Sequence, residues 1–479
     1  AYGRPAWEVA NFLDKDITTG FESFVWIGDD RRGFCWFAEA PENWSNPDDK
    51  DLIRMVRRDG RTDLEIDILR GTQTIAKPVK IVFGTMATPA KPRREGWRTW
   101  EGKFSQDWGY FTAFSTFHPP RDPEAFRRNV QNPFVTTMLS CFFYGTCFYE
   151  DGRPTPEMWL WHPLWTSHWE KPGPPIGPHA GQKGNHCAYA SITAASTWPD
   201  FYLYGLKGYR EKYNLRSLYL DTCIRGVLNP LVGMAWTDAT GKLREKTDIF
   251  AFREMTRRIY NFIHEDSEAF VTMHHSNQVA IPILSFVDMH MNGEHFNTGP
   301  HQVQGRNYID VMPPGTMRAA YMLHQWGVIP AFLPEHPQST RGMMGYFWVH
   351  DATLYGAWCD FIAFGRAVKT KQSFGMGDVE FLPYWTKQAP AIAPADPDQN
   401  HVFVSAYRKP DGTVLLIVTN QTGQDQAVKV VLNESNLGLK LAGQTVTGVD
   451  LEFGQEILIT DGTFTLPVLR QDFRMIKVA

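Results

Sequence analysis

Acidic side chains directly follow two short apolar runs of the chain. The run 217–220 ends at Asp221, and the run 283–287 leads into Asp288 and then Glu294. Apolar runs of this length are typical of buried β-strands, so these acids are expected at strand ends. Hydrolysis of a glycosidic bond needs two carboxyl groups, one ionised and one that keeps a proton near neutral pH. The sequence therefore predicts a catalytic pair formed by Asp221 and Glu294.

Each acid of this pair has a distinct expected role. Asp221 is expected to be the nucleophile and Glu294 the acid/base, at a separation of about 5–6 Å that is typical of retaining enzymes. A nearby apolar surface would raise the pKa of Glu294. Asp288 is the alternative proton donor, with Glu294 then binding a hydroxyl group. The non-catalytic alternatives are a helix cap or loop-ordering carboxylate at Asp221, and a loop held by its own hydrogen bonds after residue 287.

Polar side chains that suit sugar hydroxyl groups follow several of the same runs. Imidazoles and carboxylates can satisfy the donors and acceptors of a sugar, so substrate contacts are expected from His274, His275, His290, His295, Glu335 and His336. Adjacent histidines of an extended chain point in opposite directions, so no metal site is predicted at His274 and His275. His350 and Asp351 precede an apolar run and are expected to be structural.

Tryptophan is abundant, with 17 residues, and four of them lie within 159–169. Flat aromatic rings stack on the C–H faces of sugars, so Trp161, Trp165 and Trp236 are predicted to bind substrate. Packing in a large core, or beneath the N-terminal region, is the alternative use of such rings.

The composition of the chain limits which classes of binding partner are expected. The net charge of −4 gives no reason to expect nucleic acid or an anionic membrane as a partner. No apolar run is long enough to insert across a bilayer, nothing demands a cofactor, and no feature indicates an oligomeric state. The six cysteines lack CxxC pairs and zinc-type spacing, and are expected to be buried thiols, of which one pair could form a disulfide. The start Ala-Tyr-Gly suits a mature end or a cut within a longer protein, and we expect a secreted, periplasmic or cell-envelope location.

Three regions would position these residues. Residues 1–100 are β-rich, with a hairpin around the charged turn 29–33 and a strand at 80–84. Residues 101–392 alternate strand-like runs with helical patterns, the clearest helix covering 249–263 after a cap at Thr247 or Asp248. Residues 393–479 contain a hairpin around the turn 410–412 and predict an antiparallel β-sandwich.

The middle region is predicted to be a (β/α)8 barrel of the α/β class. Strands separated by helices imply parallel pairing with right-handed crossovers, which several such units would close into a barrel. The strand candidates are 110–117, 188–194, 217–220, 269–273, 283–287, 328–333 and 353–359. In such a barrel, reactive groups project from the carboxyl ends of the strands.

Two N-terminal motifs resemble a known family. Residues 33–39 (GFCWFAE), with Trp44 downstream, and residues 83–89 (FGTMATP) are similar to the N-terminal β-region of bacterial proteins grouped with glycoside hydrolase family 123. The resemblance implies a barrel glycosidase flanked by β-domains.

The chain departs from that family at its acids. The family carries an adjacent Asp-Glu pair after a barrel strand, used in hydrolysis assisted by the acetamido group of the substrate, whereas Asp221 is followed by Thr222 and Cys223. N-acetylgalactosamine as substrate is therefore not implied. The separated acids Asp221 and Glu294 are more similar to those of α-galactoside and α-N-acetylgalactosaminide hydrolases, where acids on strands four and six act.

Two other classes of function remain as alternatives to a retaining glycosidase. A non-catalytic carbohydrate-binding protein with a degenerate barrel would bind sugar without turnover. A polysaccharide lyase would use histidine and tyrosine as base and acid, and its products would absorb in the ultraviolet through a new double bond.

Overall fold

The computed structural model describes residues 16–479, with gaps at 104, 107–123, 125–126, 129–134, 141–143, 147–162, 168–188, 222–225, 275–278, 294–295, 297–306, 334–339 and 357–358. The chain forms two compact units. The first comprises Ala1–Pro92, Ser105–His290 and His324–Val328, and the second comprises Arg93–Phe104, Met291–Leu323 and Ile329–Ala479. The domain boundaries expected after residues 100 and 392 stay predictions.

The first unit begins with two small antiparallel sheets, ordered β2-β3-β6 and β1-β4-β5. Their strands are β1 (Ile17–Thr19), β2 (Phe24–Gly28), β3 (Gly33–Phe37), β4 (Ile53–Arg58), β5 (Arg61–Ile66) and β6 (Gly84–Thr88). Pairing of β2 with β3 confirms the predicted hairpin. The strand predicted at 80–84 is wrong, because pairing starts at Gly84, which lies opposite Phe37 and whose missing side chain makes room for that ring.

The rest of the first unit is built around parallel strands. The elements are β7 (Ser105–Gln106), β8 (Val135–Ser140), β9 (Tyr144–Thr146), β10 (Tyr189–Ser191), α1 (Trp198–Tyr213), β11 (Ser217–Asp221), β12 (Gly226–Val227), β13 (Ala235–Thr237), β14 (Leu243–Thr247), α2 (Ile249–Ile263) and β15 (Val271–His274). Strand β16 (Met289–Asn292) has its first two residues in this unit and its last two in the second. The strand order is β7-β8-β11-β15-β16, and the pairs from β7 to β15 are parallel. Helices α1 and α2 connect successive parallel strands, as predicted.

Helix α2 confirms the predicted helix at 249–263. Its apolar residues recur at helical spacing and are buried along one face at Ile249, Phe252, Met255, Ile259 and Ile263. Asp248 is the N-cap residue, but its carboxylate accepts hydrogen bonds from Thr193 and Ala194 and none from the helix itself. Asp248 therefore ties the start of α2 to the segment before α1.

The strand predictions of this unit have mixed outcomes. The strand at 217–220 is confirmed as β11, and the one at 269–273 corresponds to β15. The run 188–194 contributes β10, which pairs antiparallel with β9 and does not join the parallel sheet. The candidate at 110–117 lies outside the described residues.

The strand predicted at 283–287 is wrong. Residues Ile281–Phe286 form a 3₁₀ helix, and the strand is β16, which starts at Met289. Pro282 lies in the first turn of the 3₁₀ helix, where its missing N–H is tolerated. Nearly all side chains from 279 to 293 are buried, so the run lacks the alternation that marks a strand.

The second unit contains a short parallel pair and a large antiparallel sheet. Its strands are β17 (Ile329–Phe332), β18 (Thr353–Leu354), β19 (Glu380–Leu382), β20 (Ala391–Ala393), β21 (Val402–Arg408), β22 (Val414–Asn420), β23 (Gln426–Leu432), β24 (Thr445–Asp450), β25 (Glu456–Thr460), β26 (Thr463–Val468) and β27 (Asp472–Val478). Its helices are α3 (Tyr308–Val311), α4 (Pro314–Ala320), α5 (Thr340–Trp348), α6 (Phe361–Ser373), α7 (Pro397–Asn400) and α8 (Glu434–Leu437). None of the helices in the described residues is long and apolar enough to cross a membrane.

The antiparallel sheet has the order β19-β21-β22-β27-β24-β25-β26-β23-β20. Pairing of β21 with β22 confirms the hairpin predicted around 410–412, and β17 confirms the strand at 328–333. The strand predicted at 353–359 is shorter, because β18 ends at Leu354. The α/β class with a C-terminal antiparallel sheet is thus observed, while closure into a (β/α)8 barrel and division of the sheet into a sandwich stay predictions.

A structural role for His350 and Asp351 is confirmed in this unit. The His350 ring is buried between hydrogen bonds to the Tyr346 carbonyl (2.7 Å) and the Tyr384 hydroxyl (3.0 Å), and burial lowers its pKa to about 3. Asp351 accepts two hydrogen bonds from the Arg98 guanidinium at 2.6 and 2.7 Å.

Candidate active site

Asp221 and His274 occupy neighbouring positions at the carboxyl ends of two parallel strands. The register of β11 and β15 runs from Leu218 opposite Val271 to Asp221 opposite His274. Parallel strands end at the same side of a sheet, where α/β enzymes bind their ligands. We call this end, defined by Asp221 and His274, the carboxyl edge.

A hydrogen bond fixes the His274 ring at the carboxyl edge. The Tyr219 hydroxyl lies 2.8 Å from Nδ1 of His274, and the two residues are 1% and 4% exposed. The sequence named His274 as a candidate but missed Tyr219. The available signal was spacing, since residues two apart in a strand share a face and Tyr219 precedes Asp221 by two.

Asp288 lies at the opposite end of the strands, which we call the amino edge. Its carboxylate is 2.7 Å from Nε2 of His264, accepts the Val271 N–H at 2.8 Å and accepts the Tyr260 hydroxyl at 3.4 Å. Val271 is the first residue of β15, and Asp288 directly precedes β16. The expected position of Asp288 after a strand is therefore wrong, and its bonds tie the end of α2 to the starts of these strands.

Three further candidates have buried side chains. Trp165 donates its indole N–H to Thr197 at 2.9 Å and packs against Trp198 at a centroid distance of 5.3 Å. Trp236 donates to the Glu245 carbonyl at 3.1 Å, and His290 is buried within β16. The contacts of Trp165 favour the packing alternative, and the substrate-binding roles of all three stay predictions.

The remaining candidates lie outside the described residues or are described only in part. Glu294, His295, His275, Glu335, His336 and Trp161 lie in the gaps, and Asp221 is described through its backbone. Of the predicted residues, the structure thus brings together Asp221 and His274 and separates Asp288 from them.

A second group of carboxyl groups surrounds the start of α2 and was not found from the sequence. Burial raises the pKa of Asp248 to about 6. Burial also raises the pKa of Glu39 to about 7, helped by the charges of Asp248 and Glu42 and opposed by Lys246. Lys246 forms a 2.6 Å ion pair with Glu42. Glu39 and Glu42 are far in sequence from Lys246 and Asp248, so no spacing rule connects the two pairs.

The described residues allow two questions to be examined, namely whether cysteines are paired and whether side chains are grouped to hold a metal ion. Cys35 and Cys359 are free and buried, and the other four cysteines are not described. Within the described ranges, no group of three or more His, Cys, Asp or Glu side chains is arranged to hold a metal ion.

Comparisons with known proteins give only distant similarities. No protein-family model matches the sequence, and no curated protein matches it. Among solved structures, a maltogenic alpha-amylase from Thermotoga neapolitana is 9% identical, with a TM-score of 0.46 over 78% of this chain and 87% of that chain. An alpha-amylase from Geobacillus thermoleovorans is 9% identical, with a TM-score of 0.43 over 74% and 81%. Alpha-galactosidase I from Mortierella vinacea is 10% identical, with a TM-score of 0.41 over 81% and 97%.

These similarities assign neither an activity nor a family. All three TM-scores are below 0.5, and none of the matches supports the resemblance to glycoside hydrolase family 123 in particular. The functional argument therefore depends on the residues of this chain.

Proposed function

We propose that this chain is a glycoside hydrolase that cleaves an oligo- or polysaccharide with retention, using Asp221 as nucleophile and Glu294 as acid/base. The observation that carries the proposal is the end of β11 at Asp221, in register with His274 at the carboxyl edge. A carboxylate and an imidazole that end adjacent parallel strands lie where α/β enzymes hold their reactive groups.

The corrected strand β16 supports Glu294 as the second acid. Because β16 ends at Asn292, Glu294 follows the end of a strand by two residues. Reactive groups of α/β enzymes follow the carboxyl ends of strands, so this position suits a proton donor. A retaining mechanism then requires a separation of roughly 5–5.5 Å between the two carboxyl groups.

Asp288 does not enter the proposed mechanism. Its carboxylate lies at the amino edge and already accepts hydrogen bonds from Val271 and Tyr260 beside His264. A proton donor must reach the glycosidic oxygen directly or through one water, which a buried group at the other end of the strands cannot do.

A polysaccharide lyase is the second candidate, favoured by the contact between Tyr219 and His274. Lyases need a base and an acid, and these two residue types lie 2.8 Å apart. The Tyr219 hydroxyl is buried and engaged with the ring, so it is a poor proton donor to a polymer. Products of a lyase would absorb in the ultraviolet, whereas products of hydrolysis would not.

The test begins with turnover of a panel of aryl glycosides and oligosaccharides by the purified chain. We expect release of reducing sugar without an ultraviolet-absorbing product, and the same anomer in product and substrate by NMR. Binding without turnover would favour the non-catalytic alternative and would contradict the proposal.

Chemical rescue then assigns the two roles. Asp221→Ala should regain turnover with azide and yield a glycosyl azide of inverted configuration, since azide replaces the missing nucleophile. Glu294→Gln should retain more activity on aryl glycosides with good leaving groups, because these need no proton from the acid. Asp288→Asn is the matched control and should respond to neither azide nor leaving group.

A further inference from the structure

Residues 71–83, which connect β5 to β6, expose several large apolar side chains in one short segment. Ile75, Val79, Val82 and Phe83 are 45–56% exposed. Single apolar residues are common on protein surfaces, whereas a group of them marks a site of interaction. This segment is therefore a candidate interaction surface.

The part of the segment next to β6 has the composition of a strand but no strand beside it. Residues 79–83 (VKIVF) are rich in the β-branched and aromatic types that favour strands, and the sequence predicted a strand at 80–84. Pairing starts only at Gly84, which lies opposite Phe37, the last residue of β3. The stretch 79–83 thus extends beyond the end of its neighbour, and we call it the unpaired stretch.

The backbone of the unpaired stretch is open on one side. In the part of the chain that the structure describes, none of its N–H or C=O groups bonds to another backbone group. The Lys80 carbonyl accepts the side-chain amide of Asn43 at 3.0 Å. Successive residues of a strand direct their backbone groups to opposite edges. A strand formed here would therefore leave Val79, Ile81 and Phe83 to pair with a partner.

Charge indicates the kind of partner. The segment 71–83 carries the exposed residues Lys77 and Lys80 and no acidic residue. A second copy would bring the lysines of two chains together, and like charges across paired strands are destabilising. An anionic membrane would match the charge, but unpaired N–H and C=O groups enter lipid only at a large cost. An extended acidic polypeptide matches both the charge and the backbone.

We propose that the unpaired stretch is a docking site for an extended, acidic segment of a partner protein, which adds beside it as a β-strand. Strand addition of this kind gains affinity from backbone hydrogen bonds and specificity from alternate side chains. The backbone groups of Val79, Ile81 and Phe83 pair with the partner, and the two lysines contact its carboxylates. The proposal uses no residue of the candidate active site, so it stands whether or not the chain is a glycosidase.

Peptide selection tests the docking site. Random peptides displayed on phage would be panned against the full chain, and we expect enrichment of peptides with alternating apolar residues and recurring glutamate or aspartate. Ile81→Pro should weaken binding of an enriched peptide at least about tenfold, because an N–H that pairs with the partner is lost. Val82→Pro is the matched control, since its N–H faces the other edge, and it should keep most of the affinity. Enrichment of no such peptide, or equal binding by both variants, would overturn the site.

Amide hydrogen exchange in the complex tests the mode of binding. Exchange should slow at Val79, Ile81 and Phe83 and remain fast at Lys80 and Val82, because only one edge of the stretch gains a partner. Exchange that is unchanged throughout the stretch, or slowed equally at all of these amides, would contradict strand addition.

Charge reversal tests the acidic character of the partner. Lys77→Glu combined with Lys80→Glu should weaken binding of the enriched peptide roughly tenfold, and lysines in place of the acids of the peptide should restore it. Lys429→Glu reverses an exposed lysine on β23 and is the control, which should bind like the wild type. Equal affinity in the doubly reversed variant and the control would rule out an acidic partner.

Two further measurements identify the other occupants. A dimer detected by light scattering and dissociated by Ile81→Pro would assign the stretch to a second copy. Binding to vesicles of phosphatidylcholine and phosphatidylserine that Ile81→Pro abolishes, without binding of any peptide, would assign it to a membrane. Either result would overturn the protein partner, and we expect a monomer that does not bind the vesicles.

Discussion

Aspartate, histidine and tyrosine occur together at both ends of the parallel strands, but their surroundings differ between the two ends. At the amino edge, Asp288 is 2.7 Å from His264 and 3.4 Å from the Tyr260 hydroxyl. At the carboxyl edge, the Tyr219 hydroxyl is 2.8 Å from His274, whose strand neighbour is Asp221. Residue types alone therefore do not separate a structural cluster from a candidate active site.

Strand direction and hydrogen-bond partners distinguish the amino-edge cluster from the candidate active site. The Asp288 side chain is 1% exposed and also accepts the N–H of Val271, so its acceptor capacity is used within the fold. The Tyr260 and His264 rings are stacked, with their centroids 3.9 Å apart, so Tyr260 covers one side of this cluster. Ligands of α/β proteins bind beyond the carboxyl ends of strands, so we propose a catalytic role for Asp221 and a stabilising role for Asp288.

The largest expected effect is the loss of activity in Asp221→Asn. The amide cannot attack the sugar, so kcat should fall by about four orders of magnitude, as for other essential catalytic groups. The free energy of unfolding should change little. Steady-state kinetics together with denaturant unfolding measure both quantities, and near wild-type turnover would remove Asp221 from the mechanism.

Asp288→Ala should show the opposite pattern. Removal of the carboxylate leaves the Val271 N–H and the His264 ring without their buried acceptor, which should cost about 3–5 kcal/mol of stability. Activity per folded molecule should remain within about twofold of the wild type, since the group lies away from the carboxyl edge. Denaturant titration with activity measured below the transition tests this, and a stable but inactive variant would reverse the assignment.

At the start of α2, Asp248 is expected to have an effect of intermediate size on stability, and this effect depends on pH. Burial raises the pKa of Asp248 from 3.8 to about 6, so the folded protein holds a proton that the unfolded chain releases. The stability contributed by Asp248 is therefore complete below its unfolded pKa and is lost as the pH rises through about 6.

Asp248→Asn isolates this effect. An amide oxygen can still accept from Thr193 and Ala194, and the amide cannot ionise. Above pH 6 the variant should be more stable than the wild type by about 2–3 kcal/mol, and the difference should shrink toward pH 4. Unfolding free energies measured across this range test the prediction, which a difference independent of pH would contradict.

The smallest expected effect is that of Tyr260→Phe at the amino edge. The Tyr260 hydroxyl is 3.4 Å from Asp288, a long contact whose loss should cost about 0.5 kcal/mol. The pH profile of kcat/KM should stay that of the wild type. A shifted acid limb in this variant would show that the two edges are not functionally distinct.

Local sequence patterns predicted the elements whose faces differ in polarity. Helix α2 shows its apolar residues at helical spacing, and the hairpin of β2 and β3 surrounds a charged turn. The strand before Asp221 was also found, because polar residues bound a short apolar run there.

The hydrophobic pattern of the sequence did not predict the secondary structure correctly where nearly all side chains are buried. From 279 to 293 nearly all residues are buried, so neither period two nor period 3.6 is visible, and the strand was placed six residues too early. That shift moved Asp288 to the wrong end of its strand. The Glu39–Asp248 group was missed for another reason, since contacts between distant residues follow from packing and leave no local signal.

The most direct test of the central claim is covalent trapping of the nucleophile. The wild type would be treated with a 2-deoxy-2-fluoro glycoside that carries a good leaving group, chosen from the sugar that gives the highest turnover. Peptide mapping by mass spectrometry then locates the label. We predict a glycosyl ester on Asp221, at the carboxyl edge. A label on Asp288 or on any other carboxylate would contradict the account.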